Sequence, residues 1–438
     1  MTHVEPSPRD VRMRGFAHRA PPSEGLAWID DVALALPVEP APLAEVAGRV
    51  LAEAVTAPID VPSFDRSAMD GYALCGAETD GAGLYNPLSF RVIGESMPGA
   101  GFDGTREPGT AVRIMTGAMI PDGADAVLPA EHTREADGLV EITESVPPGR
   151  HVGRRGEDIA TGSVVLPAGR RLRPQDVGLL ASMGFDTVAV HRRPVVRLVI
   201  TGSELVPPGN SPGPGQIFES NSTMLAALVQ RDGGRLEQHP VDVIPDDRDR
   251  VRTAIAGPGA DVILVSGGSS VGSEDHAPTL VAELGELTFH GFAMRPSSPA
   301  GMGQVPGALV FLLPGNPVSC LCAYDFFAGR AIRALGRRDR RWPYPSRNMA
   351  LAAKIASALG REDYCRVRLV EDPDADGATR VEPLALSGAS ILSSTTRADG
   401  FVVVPASSEG FAEGTVVTVF LYDPPATAPQ TTPSDPAP

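Results

Sequence analysis

The chain has 438 residues, of which 42% are apolar and 21% charged, and its formal net charge is −16. Domains commonly run about 100–200 residues, so three or four domains are expected rather than one core. The acidic balance argues against a general nucleic-acid binder, whose affinity rests on a basic face, and no stretch approaches the roughly 18 unbroken apolar residues of a membrane span.

Residues 1–24 mix Pro, Arg, Asp and Glu without the apolar block of a signal peptide, so cytoplasmic residence is the expectation. Cys75, Cys320, Cys322 and Cys365 have neither zinc-site nor disulfide spacing and read as reduced, structural thiols. Lys354 is the only lysine among 38 basic residues, so an anionic ligand must be met by local arginines.

Taken in order, residues 1–23 form a Pro-rich tail with too little apolar surface to offset the entropy of ordering, and so do residues 424–438. Over 26–56 apolar residues recur at helical spacing but are interrupted by Pro37, Pro40 and Pro42, which predicts two short helices. Residues 57–156 are punctuated by Gly and Pro, with short apolar runs at 111–115, 126–128 and 139–142, the pattern of a small β-rich domain. A helix is expected at 174–183. From 191 to 338 strands (194–200, 241–244, 261–265, 309–313) alternate with helices (221–230, 248–256, 278–284, 318–335). This alternation predicts an α/β domain with a doubly wound parallel sheet, whose ligands lie beyond the carboxyl ends of the strands. The helix at 221–230 is expected to be capped by Asn221 or Ser222. Residues 339–423 return to short strands, the pattern of a C-terminal β-barrel or sandwich. Segments 24–56 and 157–190 are left to form one discontinuous, elongated linking domain.

Three loops fall at strand ends of the expected sheet. The first runs from Thr201 and Gly202 through Ser203 to Glu204. The second contains Ser266, Gly267, Gly268, Ser270 and Gly272. The third is Pro314-Gly315-Asn316-Pro317. Glycine lets backbone N–H groups approach an anion closely, and a helix start behind the loop adds favourable partial charge. Any one of these alone reads first as a tight strand-to-helix turn; three on one face reverse that reading and suit a phosphate. Glu204, Asp246 and Asp275 stand near them and suit a magnesium ion, which takes one or two carboxylates besides phosphate oxygens and water. Alternatively, Asp275 caps the next helix, Asp246 and Asp247 form a turn, and Glu204 is solvated. In the first half, 65–73 holds Asp65, Ser67 and Asp70, 113–118 holds Thr116 and Gly117, and 154–158 holds Arg155 and Asp158. These guanidinium and acidic groups are of the kind used in anion recognition.

In this order, the segments 67–73 (SAMDGYA), 113–118 (RIMTGA), 155–159 (RGEDI), 266–272 with Asp275, and 313–319 (LPGNPVS) resemble the molybdopterin molybdenumtransferase family, to which the C-terminal domain of gephyrin also belongs. The resemblance implies a homodimer of four-domain subunits with a cleft shared between chains. It implies insertion of molybdate into adenylylated molybdopterin with release of AMP in a Mg2+-dependent step, the substrate coming from a molybdopterin adenylyltransferase. Asp65, Thr116, Arg155, Asp158, Glu204, Asp246, Asp275, Pro314 and Pro317 match family site positions. Departures are Arg66 in place of Asn, Ser203 in place of an acid, Ile391 in place of His, and Arg295-Pro296-Ser297-Ser298-Pro299 where two lysines are usual, so Arg295 keeps a charge and Ser298 loses one. A divergent paralogue that carries molybdopterin without inserting metal is the alternative.

Overall fold

The computed structural model describes residues 19–268, 275–371, 379–385 and 388–423. The chain divides into two units, Pro40–Val190 and the combination of Met1–Glu39 with His191–Pro438. The expected tails lie outside the described residues up to residue 18 and from residue 424 onward. Ordered structure begins before residue 24, however: Ala20 exchanges backbone hydrogen bonds with Gly291 and Ala293 at 3.0 and 2.8 Å, and a helix spans Pro22–Val32.

In the unit Pro40–Val190 a six-stranded sheet has the order Ala126–Pro129, Gly71–Leu74, Thr110–Ile114, Leu88–Ser96, Leu139–Ile142, Thr133–Ala136. Side chains alternate across a strand, so Tyr72, Leu74 and Leu128 enter one apolar cluster while Ala73, Val112, Ile114 and Val127 enter another on the opposite face. The segments flanking this sheet build a separate core around Val46, Leu51, Leu166, Leu180 and Val190.

The second of the two helices expected over 26–56 is absent. Val38–Pro42 is extended, and Leu43–Glu45 is a single 3-10 turn, because proline at 37, 40 and 42 removes N–H donors and blocks the preceding turn. The first helix, Pro22–Val32, does not join the linking core as expected. Ile29 and Ala33 are buried with Phe292 and Phe327 on the α/β sheet, and Asp30 pairs with Arg330 and Arg340 at 2.6 and 3.1 Å.

The α/β sheet has the order Arg235–Leu236, Val195–Thr201, Val262–Ser266, Ala308–Leu313, Gly301–Val305, Glu286–His290, and Val243–Ile244 also pairs with Val195–Thr201. The first four strands are parallel, but Gly301–Val305 runs against them and pairs antiparallel with both Ala308–Leu313 and Glu286–His290, so the sheet is mixed rather than wholly parallel. The reason is local. Only Pro306 and Gly307 separate Gly301–Val305 from Ala308–Leu313, and Gly307 has φ +85°; such a turn makes a hairpin, whereas a parallel crossover needs about a dozen residues.

The three central parallel strands are in register, with Ile200 beside Ser266 and Ser266 beside Leu313. Their following loops therefore emerge together. Gly267 has φ +95°, and a Cβ there would lie 2.1 Å from the Thr201 carbonyl oxygen. The helix expected at 318–335 runs without a break from Pro317–Ala323 through a π-helical stretch, Tyr324–Ala328, to Gly329–Leu335.

The C-terminal strands Glu362–Glu371, Gly400–Val404, Val416–Leu421 and Ser346–Ala350 pair in that order, and Thr379–Ala385 pairs with Glu362–Glu371. An isolated bridge joins Leu351 to Val381. The α/β segment contributes a strand of its own, Met294–Arg295, parallel to Glu362–Glu371. Trp342 sits between the two layers, 5.1 Å from Phe326 and 4.8 Å from Phe420, ring centre to ring centre. Beside it Arg295 donates to the fully buried Asp363 at 2.5 Å, and Asp363 also accepts from Ser357 and pairs with Arg361.

Two outcomes follow from this packing. Arg295→Met removes one partner of a buried carboxylate that keeps two others, and is expected to cost about 2 kcal/mol in urea unfolding. Gly267→Ala places a methyl group against backbone at a positive φ and is expected to cost about 3 kcal/mol by the same measurement, whereas Gly209→Ala, with φ +94° but open space around it, should cost less.

Candidate functional site

The aligned strand ends open onto a cavity of about 560 Å³. Thr201, Gly202 and Glu204 line it from the first loop, Ser266, Gly267 and Gly268 from the second, and Pro314, Gly315, Asn316 and Pro317 from the third. Asp246 and Asp275 line it as well. Ser270 and Gly272 lie outside the described residues. Asp246 Oδ2 accepts from the Ser203 N–H at 3.0 Å, which ties the carboxylate to the first loop through backbone alone. The neighbouring acid, Asp247, caps the helix Arg248–Ala256 by accepting from Arg250 N–H. In the helix Ala277–Leu284 the cap position belongs to His276, whose side chain makes no cap hydrogen bond.

Glu204, Asp246 and Asp275 share the cavity, yet among the described residues no group of three or more His, Cys, Asp or Glu side chains is close enough to hold a metal ion. A magnesium ion bound to phosphates takes only one or two carboxylates and fills its remaining positions with phosphate oxygens and water. The all-oxygen donor set of this cavity fits that demand. The buried thiols of Cys320 and Cys365 are unsuited to metal or nucleophilic work, since burial pushes both up to about 12.

Arg295 and Ser298 are not among the lining residues, although Pro299 is. The Arg295 guanidinium is spent on Asp363, and the Ser298 hydroxyl is buried without a partner among the described residues.

The remaining expected residues lie in the unit Pro40–Val190. Asp65 accepts from the Arg155 N–H and from Arg154 Nη1, both at 2.8 Å. The Arg155 N–H, with the Arg154 side chain behind it, lowers the Asp65 carboxyl below its ordinary pKa. Asp60 accepts from the Thr161 N–H and hydroxyl and from Arg155 Nε, and the Thr161 N–H is the main reason its pKa falls to about 2. Arg155 is thus aimed from one side while its side chain stays 65% exposed. Thr116 donates through both N–H and hydroxyl to Asp70 Oδ1. Gly117, at φ +85°, donates to the Ser67 carbonyl, and the Ser67 hydroxyl donates to the Met69 carbonyl. Asp158 is exposed.

Sequence reasoning missed Asp60 and Arg154 as the groups that hold Arg155 and Asp65. It also missed the stretch before the helix Asn221–Arg231. Ile217, Phe218, Glu219, Ser220 and Asn221 all line the cavity, as does Ser390. The expected cap was misplaced by one or two residues: Ser220 holds the cap position, and the Glu219 carboxylate, rather than Asn221 or Ser222, accepts from the first turn. A polar run directly after two apolar residues was the available signal.

Comparison with known proteins agrees with these features. Residues 20–184 match the MoeA N-terminal region (domains I and II), residues 197–334 a probable molybdopterin binding domain, and residues 348–422 the MoeA C-terminal region (domain IV). Molybdopterin molybdenumtransferase 2 of Mycobacterium tuberculosis is 36% identical over 393 residues, covering 86% of this chain and 94% of that protein. Molybdopterin molybdenumtransferase of Haemophilus influenzae is 33% identical over 381 residues, covering 86% and 92%. Two crystal structures of the molybdopterin biosynthesis MoeA protein from Pyrococcus horikoshii superpose with TM-scores of 0.73 and 0.69, at 32% and 31% identity. They cover 93% and 92% of this chain and 100% of each. With a mixed α/β, multidomain fold and identity above 30% along nearly the whole length of these relatives, the chain belongs to the molybdopterin molybdenumtransferase (MoeA) family.

Proposed function

We propose that this protein inserts molybdate into adenylylated molybdopterin and releases AMP, in molybdenum cofactor biosynthesis. One observation carries the reading: three glycine-bearing loops and the carboxylates Glu204, Asp246 and Asp275 share a single cavity. The names of its relatives, molybdopterin molybdenumtransferases, support the substrate and favour insertion over a carrier role.

Cleaving the phosphoanhydride of such a substrate demands charge neutralisation and positioning more than a covalent intermediate. Backbone N–H groups of the second and third loops hold phosphate oxygens, which Gly267 and Gly315 allow to come close. Asp246 keeps the first loop closed on the ligand through the Ser203 N–H. One or two of Glu204, Asp246 and Asp275 would hold a magnesium ion, which would offset the phosphate charge. In the other unit Arg155, oriented by Asp60, supplies a cation for an anionic group, and Asp65 and Thr116 contribute to ligand binding. The reading extends to a cytoplasmic homodimer served by a molybdopterin adenylyltransferase, and to a C-terminal sheet that closes as a barrel, a closure favoured by the Leu351–Val381 bridge.

The test is complementation of a bacterial strain lacking its insertion enzyme, read as the activity of a molybdoenzyme. The wild-type chain is expected to restore activity and Asp275→Ala to reduce it about 100-fold while remaining folded by circular dichroism, an effect of the size expected for losing one transition-state charge contact. Failure of the wild-type chain, or full activity in Asp275→Ala, would count against the assignment.

A further inference from the structure

The cavity contains two polar atoms that the protein does not satisfy. Asn221 is 7% exposed and Thr201 4%, both line the cavity, and Asn221 Oδ1 and Thr201 Oγ1 have no hydrogen-bond partner among the described residues. The orientation of the Asn221 amide is fixed by its neighbours. Its Nδ2 donates to the Gly315 carbonyl at 2.8 Å and to Ser266 Oγ at 2.9 Å. A carbonyl oxygen can only accept, so the amide nitrogen must face Gly315 and the amide oxygen is left over. A buried acceptor without a donor is unfavourable, and such atoms are uncommon in folded proteins unless a ligand or water serves them.

This demand differs from that of the glycine loops. Phosphate oxygens accept hydrogen bonds and suit backbone N–H groups, but they would repel Asn221 Oδ1. At the start of the helix Asn221–Arg231 the donors of Ser222 are already taken, since the buried Glu219 carboxylate accepts its N–H at 2.7 Å and its hydroxyl at 2.5 Å. Just before it, Ile217 and Phe218 line the same cavity and are 57% and 51% exposed. An aromatic face and an alkyl group next to a fixed acceptor complement a neutral planar group that carries O–H or N–H donors.

We propose that Asn221 Oδ1, aided by Thr201 Oγ1, accepts a hydrogen bond from a hydroxyl or ring N–H on the non-phosphate part of the ligand, with Phe218 covering that group. The assignment rests on the reading of the cavity as the substrate site. It divides the cavity into a phosphate side, made of backbone donors, and a recognition side, made of residues 217–221.

The experiment is calorimetric titration of the full chain, as wild type, Asn221→Ala and Thr201→Val, with inorganic phosphate, AMP, 2′-deoxy-AMP, 3′-deoxy-AMP and molybdopterin. Asn221→Ala also removes the Nδ2 bonds to Gly315 and Ser266, so it is expected to weaken phosphate by a few-fold and the ligand that carries the donor by about tenfold more. If the donor is a ribose hydroxyl, one deoxy nucleotide binds the wild type about tenfold more weakly than AMP does, yet binds Asn221→Ala equally well. If it is a ring N–H, the loss falls on molybdopterin and all three nucleotides behave alike. Thr201→Val preserves volume and the Asn221 tie, and should weaken the same ligand by a few-fold. Equal loss for phosphate and organic ligands, or no loss in either variant, overturns the assignment. A wild-type chain that binds none of these ligands instead overturns the reading of the cavity, and this assignment with it.

Discussion

Parallel pairing of three central strands, with Ile200, Ser266 and Leu313 side by side, is the constraint from which the site follows. Parallel strands that start level end level, so the loops after them open at the same edge although about 110 residues separate the first from the last. At that edge backbone N–H groups have run out of strand partners, and a buried N–H needs a partner from somewhere. Strands about 4.8 Å apart leave little room between successive loops. Hence Gly267, where any side chain would meet the Thr201 carbonyl. The same geometry that crowds the backbone makes it available to an anion.

Charged side chains are arranged differently. With a single lysine, the chain relies on guanidinium groups, and several arginines in the segments singled out from the sequence are committed to carboxylates: Arg295 to Asp363, Arg155 to Asp60, Arg154 to Asp65. The first pair is part of the joint between the α/β and C-terminal sheets, where Asp363 is fully buried and would be strongly unfavourable unpaired. The others are surface pairs and add little stability. For Arg155 the effect is orientation, since a planar guanidinium held at Nε can present its remaining N–H groups in only one direction. Among the described residues that line the α/β cavity there is no Arg or Lys, so favourable partial charge for an anion falls to backbone N–H groups.

Much of this was legible before any coordinates. The alternation of β-branched runs with helix-length segments placed the central strands, and glycine at strand ends placed the loops, because both signals depend on local sequence. Three things were not legible. The antiparallel edge depends on a two-residue connection, Pro306-Gly307, after a run, Gly301–Val305, that is rich in glycine rather than β-branched residues. The docking of Pro22–Val32 onto Phe292 and Phe327 pairs residues far apart in sequence. The lining by Ile217 to Asn221 depends on where a short strand lies beside the first loop, which no periodicity encodes. Arg295 shows the same limit from the other side: its charge and neighbours suggested an anion, and only tertiary packing reveals that Asp363 takes it.

The central claim is that the cavity brings phosphate-binding loops and carboxylates to bear on adenylylated molybdopterin. It is tested most directly by AMP release from that substrate on purified protein, followed with time before and after molybdate is added. The account predicts slow release without molybdate, rapid release of one AMP per bound ligand once molybdate and magnesium are present, and loss of that burst when magnesium is chelated. AMP release that is unaffected by molybdate, or a ligand that binds and is never cleaved, would contradict it.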